Sequence, residues 1–293
     1  MARLVLGLED PNSMSSALPA NESQPLNLEI AGIPFSVQSE SSQQGKWIGI
    51  GCRRFVTPKV PQLRLAISTS SWKRSRRASR EALLWEGNRW ILDAMNFRVQ
   101  EAETGRLYLA EISPRGGWGD LLRTWFSLVL LQRGGLLLHA AAVTRNGRAL
   151  IFCGPSGSGK TTLARLAESQ DLLSDESVAV QRDKRNDAGY EAYATPFYGE
   201  LSEIAERPSA PLGEIFLIRP PEARPKQLFR ISQVSPGEAM GELLAQTFLR
   251  TLTQPLLEKA LPLLEDLVRS VRIRRLQFTP SPELWSFIDD QSG

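Results

Sequence analysis

The 293-residue chain has two cysteines, Cys52 and Cys153, and a single histidine, His139. Two thiols in apolar segments supply neither a disulfide framework nor a thiolate metal cluster. Long hydrophobic runs are also missing: the best candidate, WFSLVLL, is followed at once by Gln132 and Arg133, well short of the roughly 18 apolar residues of a membrane span. The N-terminus lacks the basic and long apolar regions of a secretory signal. We therefore predict a soluble, cytoplasmic protein with no membrane partner.

Charge of one sign is not in large excess either. The chain has 35 basic and 32 acidic residues, a formal net charge of +3. This near balance argues against a surface built for non-specific nucleic-acid binding, so we expect no nucleic-acid partner. A local exception is the basic segment 73–80, beside Trp72. It could hold a phosphate backbone or an acidic peptide, although a solvated hairpin loop is the simpler interpretation.

The first 112 residues have the pattern of a β-rich region. Short apolar runs, often alternating, are separated by turn residues about every ten positions. The polar stretches 9–25 and 36–46 predict a tail and a loop, and FVTP at 55–58 is one of the predicted strands.

The remaining residues, 113–293, have a mixed pattern. Asp120 is a candidate N-cap for a largely buried helix that ends before Gly134 and Gly135. Strand-like runs then alternate with helical candidates at 163–169, 237–252 and 258–271. The sequence thus predicts an α/β fold with a mixed sheet in two parts, a β-rich N-terminal region over 1–112 and a nucleotide-binding domain over 113–293.

The strongest motif in the chain is GPSGSGKTT, which matches the phosphate-loop pattern G-x-x-x-x-G-K-[ST]. Glycines allow successive backbone N–H groups to turn towards one anion, and the loop lies where it must, between an apolar strand and a helix. We expect ATP or GTP and Mg²⁺ as cofactors, with Lys160 on the β and γ phosphates and Thr161 on the metal. The predicted binding residues are Gly154, Pro155, Ser156, Gly157, Ser158, Gly159, Lys160, Thr161 and Thr162.

The segment before this loop predicts a hairpin that brings His139 to it. Asn146-Gly147 is a strong two-residue turn signal. If Arg145 faces Arg148, the same register puts His139 opposite Gly154. A lone histidine in an apolar strand is often only a core residue, but this position favours a catalytic one.

Acidic residues follow the loop at a short distance. Asp175 closes a short strand 15 residues after Lys160, and Glu176 is next to it. Phosphoryl transfer needs a metal to neutralise phosphate charge and a base to accept the hydroxyl proton. We predict Asp175 as the base, and Asp175 and Glu176 as metal ligands together with Thr161. Glu200, in the loop after Pro196, is a weaker candidate ligand.

Together, HAAAVTRNGRALIFCGPSGSGKTTLARL and LLSDESVAV resemble the catalytic domain of HPr serine kinase/phosphorylase, whose fold is shared with phosphoenolpyruvate carboxykinase. The resemblance covers residues 135–200. Segments nearer the C-terminus are similar to HPr kinase-like proteins found near modified-peptide gene clusters. The resemblance implies catalytic roles for His139, Lys160 and Asp175. It also implies a serine kinase-like phosphotransferase that can form a homo-oligomer.

From the residues and the resemblance together we expect a kinase. It would transfer the γ-phosphate to a serine or similar hydroxyl of a protein, a peptide or a small molecule. The alternative is a nucleotide-binding switch or recruitment module without phosphotransfer. The sequence leaves open which acceptor is used, whether ATP or GTP is preferred, and which oligomer forms.

Overall fold

A computed structural model describes residues 24–69, 82–86, 89–94, 96–113, 117–167, 171–183, 189–201, 208–219, 227–249 and 253–291. The basic segment 73–80 and most of the predicted N-terminal tail lie outside the described residues. Within them the fold is mixed α/β and consists mostly of strands. No helix in these ranges is both long enough and apolar enough to span a membrane.

The N-terminal part forms a seven-stranded sheet in the order β1-β2-β3-β7-β6-β5-β4. Its middle strands alternate buried and more exposed residues, the pattern of a sheet with one face on the core. The strands are β1 (Leu26–Ile30), β2 (Ile33–Ser39), β3 (Leu63–Thr69), β4 (Ala82–Glu86), β5 (Arg89–Asp93), β6 (Phe97–Glu103) and β7 (Leu107–Ile112).

The C-terminal part forms an eight-stranded sheet, five strands of which close into a barrel. Each strand of the ring β8-β11-β12-β13-β9 pairs with the next, and β9 pairs back with β8. The strands are β8 (Gly135–Arg145), β9 (Arg148–Cys153), β10 (Leu172–Ser174), β11 (Ser177–Arg182), β12 (Tyr190–Tyr193), β13 (Ser209–Ile218), β14 (Phe229–Gln233) and β15 (Arg272–Phe278).

Helix α2 (Trp118–Gln132) joins the two sheets and is buried over most of its length. A helix that is apolar on all sides must be covered on all sides. The Trp125 ring meets Phe35 of β2 at 5.1 Å and Tyr108 of β7 at 5.5 Å, and the same helix contacts β8 on its other side. The predicted ending of the helix is confirmed, since Gly134 has a φ of 79°, but the predicted N-cap was wrong, because the helix begins after Gly117 and Asp120 lies in its first turn.

The other helices are α1 (Ser42–Gly51), α3 (Lys160–Leu166), α4 (Pro236–Ala245), α5 (Gln254–Ser270) and α6 (Leu284–Gln291). A second, smaller core forms where α3 and α6 cover the outer face of the barrel. Strand β9 serves both cores: Ile151 points to the main one and Phe152 to the smaller one. Trp285 of α6 donates a hydrogen bond to the Leu166 carbonyl at the end of α3.

Two predictions for the N-terminal region were wrong. The stretch 36–46 is not a loop, because α1 begins after Ser41, whose hydroxyl accepts the Gln44 N–H. Ile48 anchors this helix by packing into the main core. The FVTP segment is not a strand: Phe55 ends a 3₁₀ turn, Arg53–Phe55, and fills the core.

The parallel pair β13–β15 contains a buried ion pair. The Arg274 guanidinium donates two hydrogen bonds to the Glu214 carboxylate, one of them 2.7 Å long, and also lies over the Phe216 ring. Both side chains are less than a tenth exposed. Removal of one partner would leave a buried charge without compensation, which costs more than the pair itself contributes.

We therefore expect Glu214→Ala to lower the free energy of unfolding by roughly 3–5 kcal/mol. Urea unfolding followed by circular dichroism measures this. The control is Glu265→Ala on α5, where the partner Arg269 is mostly exposed and the cost should stay below about 1 kcal/mol. Equal losses in the two variants would contradict the prediction.

Candidate functional site

The predicted hairpin is present with the predicted register. Asn146 and Gly147 have φ values of 50° and 74°, as a tight two-residue turn between twisted strands requires. The ladder runs from Arg145 opposite Arg148 to Ala140 opposite Cys153. His139 lies one residue beyond its last pair, where β9 turns into the glycine-rich loop.

The glycine-rich loop, residues 154–159, has a backbone that other residues would not adopt. Gly157 and Gly159 have φ values of 77° and 100°. Gly154 is confined instead by space: a Cβ atom there would lie 2.4 Å from the Ile218 carbonyl oxygen and 2.6 Å from the Ser158 hydroxyl. The loop therefore lies directly against the end of β13.

Lys160 is the first residue of α3 and is buried. Its amine donates hydrogen bonds to the Gly154 and Pro155 carbonyls, at 2.7 and 3.1 Å. Burial lowers its pKa, and the negative charge of Glu176 opposes that shift. The Ser158 hydroxyl is also buried, without a hydrogen-bond partner in the part of the chain that the structure describes.

Glu176 is the carboxylate of the site that contacts His139. The imidazole Nδ1 lies 3.2 Å from the Glu176 carbonyl oxygen and 3.4 Å from its Oε1. The Arg123 guanidinium of α2 lies 3.6 Å from the same Oε1. The hydrogen bond from His139 is the largest cause that lowers the Glu176 pKa, and the charges of His139, Arg123 and Lys160 lower it further against the effect of burial.

Asp175 points the other way and holds a loop. It is 2% exposed, and its two oxygens accept the backbone N–H groups of Gly199 and Leu201, at 2.9 and 2.7 Å. A Cβ atom on Gly199 would come within 2.8 Å of the same carboxylate. Of the two acidic neighbours, Asp175 thus contacts the loop 199–201 and Glu176 contacts His139.

Glu200 extends outward from that loop. Its carboxylate forms an ion pair with Arg165 of α3, and both side chains are more than half exposed. Within the described ranges, no group of three or more His, Cys, Asp or Glu side chains is gathered around one point. Of the predicted site residues, the structure places His139 in contact with Glu176, whose charge also acts on Lys160, while Glu200 lies beside Arg165.

Two residues of this cluster were not among the predicted site residues. Arg123 donates to Asp120 at 2.6 Å and lies over the Phe248 ring at 4.9 Å, and Phe248 also meets the His139 ring edge-on at 5.7 Å. A signal for Arg123 exists, because it is the only charged residue between Asp120 and Arg133 in an otherwise largely apolar helical stretch.

The prediction of a helix through residue 252 was wrong. The chain leaves the helix earlier, and this brings Phe248 to the site. Helix α4 ends at Ala245, and Phe248 N then donates to Leu137 O while His139 N donates to Gln246 O. These bonds use the edge of β8 that β9 leaves when it turns into the loop. The local sequence does not show that an open strand edge will compete with the helix for these backbone groups.

The comparisons with known proteins concern this same region. The family described as SynChlorMet cassette protein ScmC matches residues 122–213. The match includes the hairpin, the glycine-rich loop and the acidic pair, and it covers less than half of the chain. No curated protein matches the chain.

The close packing at Gly154 gives a stability prediction. Gly154→Ala should lower the free energy of unfolding by roughly 1–3 kcal/mol, because the added methyl group overlaps the end of β13. Chemical denaturation of the two proteins measures the difference. Gly237→Ala in α4 is the control: nothing lies within 4 Å of that site, so a neutral or slightly stabilising effect is expected. A neutral Gly154→Ala would contradict the packing argument.

The lowered pKa of Glu176 gives a pH prediction. A carboxylate whose pKa is lower in the folded state stabilises the protein above its unfolded pKa, and this contribution is lost as the pH falls through the folded value. The stability difference between the wild type and Glu176→Gln should therefore shrink from neutral to acid pH. In a His139→Ala background this pH dependence should weaken, because the main cause of the shift is gone. A difference that does not change with pH would contradict the assignment.

Proposed function

We propose that this chain is a nucleotide-dependent kinase. It transfers the γ-phosphoryl group of ATP or GTP to a serine or similar hydroxyl of a protein, peptide or small molecule. The observation that carries the proposal is the position of the Glu176 carboxylate, with His139 and Arg123 around it, within electrostatic reach of Lys160 beside a glycine-rich loop. This arrangement combines a candidate proton acceptor with cations suited to phosphate.

The loop suits a nucleotide phosphate on three counts. Its glycines Gly157 and Gly159 have the positive φ values that let backbone N–H groups converge on an anion. Among the described residues, the Lys160 amine donates hydrogen bonds to carbonyls of the loop itself, and phosphate oxygens are stronger acceptors. The buried Ser158 hydroxyl has no hydrogen-bond partner among the residues that the structure describes, so it can donate to a phosphate oxygen.

Mg²⁺ would be held by the Thr161 hydroxyl together with phosphate oxygens and water, as is common for this ion. When bound, it neutralises charge on the phosphates. Glu200 has no part in this proposal because it is paired with Arg165 away from the cluster. Asp175 is assigned a positioning role, since both of its oxygens are engaged by the backbone of the loop 199–201.

In the proposed reaction, the acceptor hydroxyl oxygen forms a bond to the γ-phosphorus while the bond from that phosphorus to the bridging oxygen breaks. The hydroxyl proton passes to the Glu176 carboxylate, and the nucleoside diphosphate leaves. His139 keeps that carboxylate in place and ionised. Lys160 and Arg123 stabilise the negative charge on the transferring group.

The proposal agrees with the resemblance to HPr serine kinase/phosphorylase, which rests on the same segments. The matched ScmC family is described as a cassette protein, so polypeptides encoded beside the gene are the first acceptors to test. We propose an HPr kinase-like relationship on the combined pattern of His139, the loop and the acidic pair, with the base moved from Asp175 to Glu176.

Transfer of radiolabel from γ-labelled ATP and GTP to candidate acceptors, read by mass spectrometry and autoradiography, tests the proposal. Glu176→Gln should bind nucleotide but transfer about 10²–10⁴-fold more slowly, the usual effect of losing a general base. Lys160→Ala should lose about 10²–10³-fold.

The matched control is Glu200→Gln, which removes the same charge from an exposed site and should leave transfer within a few-fold of wild type. An equal loss in Glu200→Gln would argue against the special role of Glu176. If the wild type binds nucleotide tightly and labels no acceptor, the nucleotide-binding switch replaces the kinase.

A further inference from the structure

One face of the N-terminal part combines exposed apolar and basic side chains. In α1, Trp47 and Ile50 are three positions apart and therefore neighbours on the helix surface, and they are 54% and 66% exposed. Lys46 lies beside Trp47, and Arg53 and Arg54 continue the exposed row through the 3₁₀ turn that follows. We refer to Lys46, Trp47, Ile50, Arg53 and Arg54 as the α1 face.

The α1 face adjoins the candidate site. Helix α1 ends against α2: a Cβ atom on Gly51 would lie 2.5 Å from the Trp118 ring. Tyr198, next to the loop that Asp175 holds, has a pKa raised to about 12 chiefly by burial, and the charges of Arg54 and Arg53 partly offset that rise. The charges of the two arginines therefore act on a side chain that adjoins the loop 199–201.

The sequence around the α1 face is strongly basic. Residues 41–69 contain five lysines and arginines and no aspartate or glutamate, in a chain whose total charge is only +3. The rest of the chain is therefore net negative. Lys59 in this stretch is paired with Glu29, whereas no ion pair among the described residues involves Lys46 or Arg53. These cations can attract an anionic partner.

A pocket of about 280 Å³ opens beside the face, between α1 and the strands β1 and β2. Its lining includes Leu26, Val37 and Ile48, and Lys46 lies at its border with the exposed face. Such a pocket suits an apolar side chain, as do Trp47 and Ile50. A single-stranded nucleic acid would use the positive charge and stack a base on Trp47, but it would leave Ile50 and the apolar pocket uncovered, so the combination favours a polypeptide.

Building on the proposed kinase function, we propose that the α1 face docks the phosphate acceptor, and that the acceptor is an acidic polypeptide segment that also carries an apolar anchor. Carboxylates of the segment are attracted by the basic side chains of the α1 face and pair with Lys46 and Arg53, and the anchor contacts Trp47, Ile50 or the adjacent pocket. Docking there presents a serine of the same segment to Glu176. The surface thus determines which hydroxyl is phosphorylated.

The test uses two synthetic serine-peptide libraries of equal length, both with a leucine or phenylalanine anchor. One has aspartate and glutamate around the serine, and the other has lysine and arginine. Binding is followed by fluorescence anisotropy and phosphorylation by label transfer. The key variant is Arg53→Glu/Arg54→Glu, and Trp47→Ala removes part of the apolar contact.

The control is Arg106→Glu/Arg272→Glu, which makes the same charge change at exposed positions. Arg106 precedes β7 at the end of the sheet opposite to the end where β2 leads into α1, and Arg272 begins β15 at the end away from the glycine-rich loop. Thermal unfolding of each variant checks that the fold is intact.

Wild type should bind and phosphorylate the acidic library in preference to the basic one. Arg53→Glu/Arg54→Glu should raise the KM for acidic peptides roughly tenfold or more, leave the KM for nucleotide unaltered, and shift preference towards basic peptides. Trp47→Ala should raise the peptide KM without changing the charge preference. The control variant should behave as wild type.

The inference is overturned if wild type binds both libraries equally or neither, or if the control reduces binding as much as the arginine reversal. A changed nucleotide KM would assign the arginines to the nucleotide instead. Tighter binding of a single-stranded DNA oligonucleotide at the same residues would make the surface a nucleic-acid site. Because anisotropy needs no transfer, charge-selective binding without labelling would reject the kinase while keeping the docking surface.

Discussion

Hydrogen bonding along both edges of β8 is the constraint on which the candidate site depends. One edge carries β10, Glu176 and β11, with Ala140 N donating to Glu176 O. The other edge carries β9 as far as Ala140 and then the segment around Thr247. Since unpaired backbone groups inside a core are costly, the exit of β9 into the glycine-rich loop requires a replacement partner. That replacement brings Phe248 to His139, opposite the point where the loop begins.

The electrostatics follow from this geometry. Glu176 is held between His139 and Arg123, and its charge in turn offsets the loss of solvation at the Lys160 amine. Each group is partly buried, and charges interact more strongly at a partly buried position than in bulk solvent. An anion placed near Lys160 would therefore bind in an electrostatic field that these fixed charges already create. Asp175, although adjacent in sequence, instead accepts hydrogen bonds from the backbone of the loop 199–201.

Helix α2 connects this site to the N-terminal sheet. Its buried length packs against Phe35 and Tyr108 through Trp125, while its first turns present Arg123 to the cluster and Trp118 to the end of α1. The N-terminal part is thus more than an appended sheet, since one helix reaches both the candidate site and the α1 face. The two sheets also share one large hydrophobic core, so displacement of one sheet would disturb the packing of the other.

Local sequence patterns were sufficient to predict much of the fold of this protein. The Asn146-Gly147 turn determined the hairpin register, because only that pairing satisfies a two-residue turn, and the glycine spacing indicated the loop between β9 and α3. The α/β class followed from the change in hydrophobic period between the two halves. Tertiary structure alone decided which of two adjacent carboxylates faces His139, that Arg123 turns into the site, and that α4 stops early so that Phe248 can reach it. Those outcomes depend on which segments bind an open strand edge and which side chains reach buried hydrogen-bond donors. The competing groups come from residues distant in sequence, so they leave no periodic signal in the local sequence.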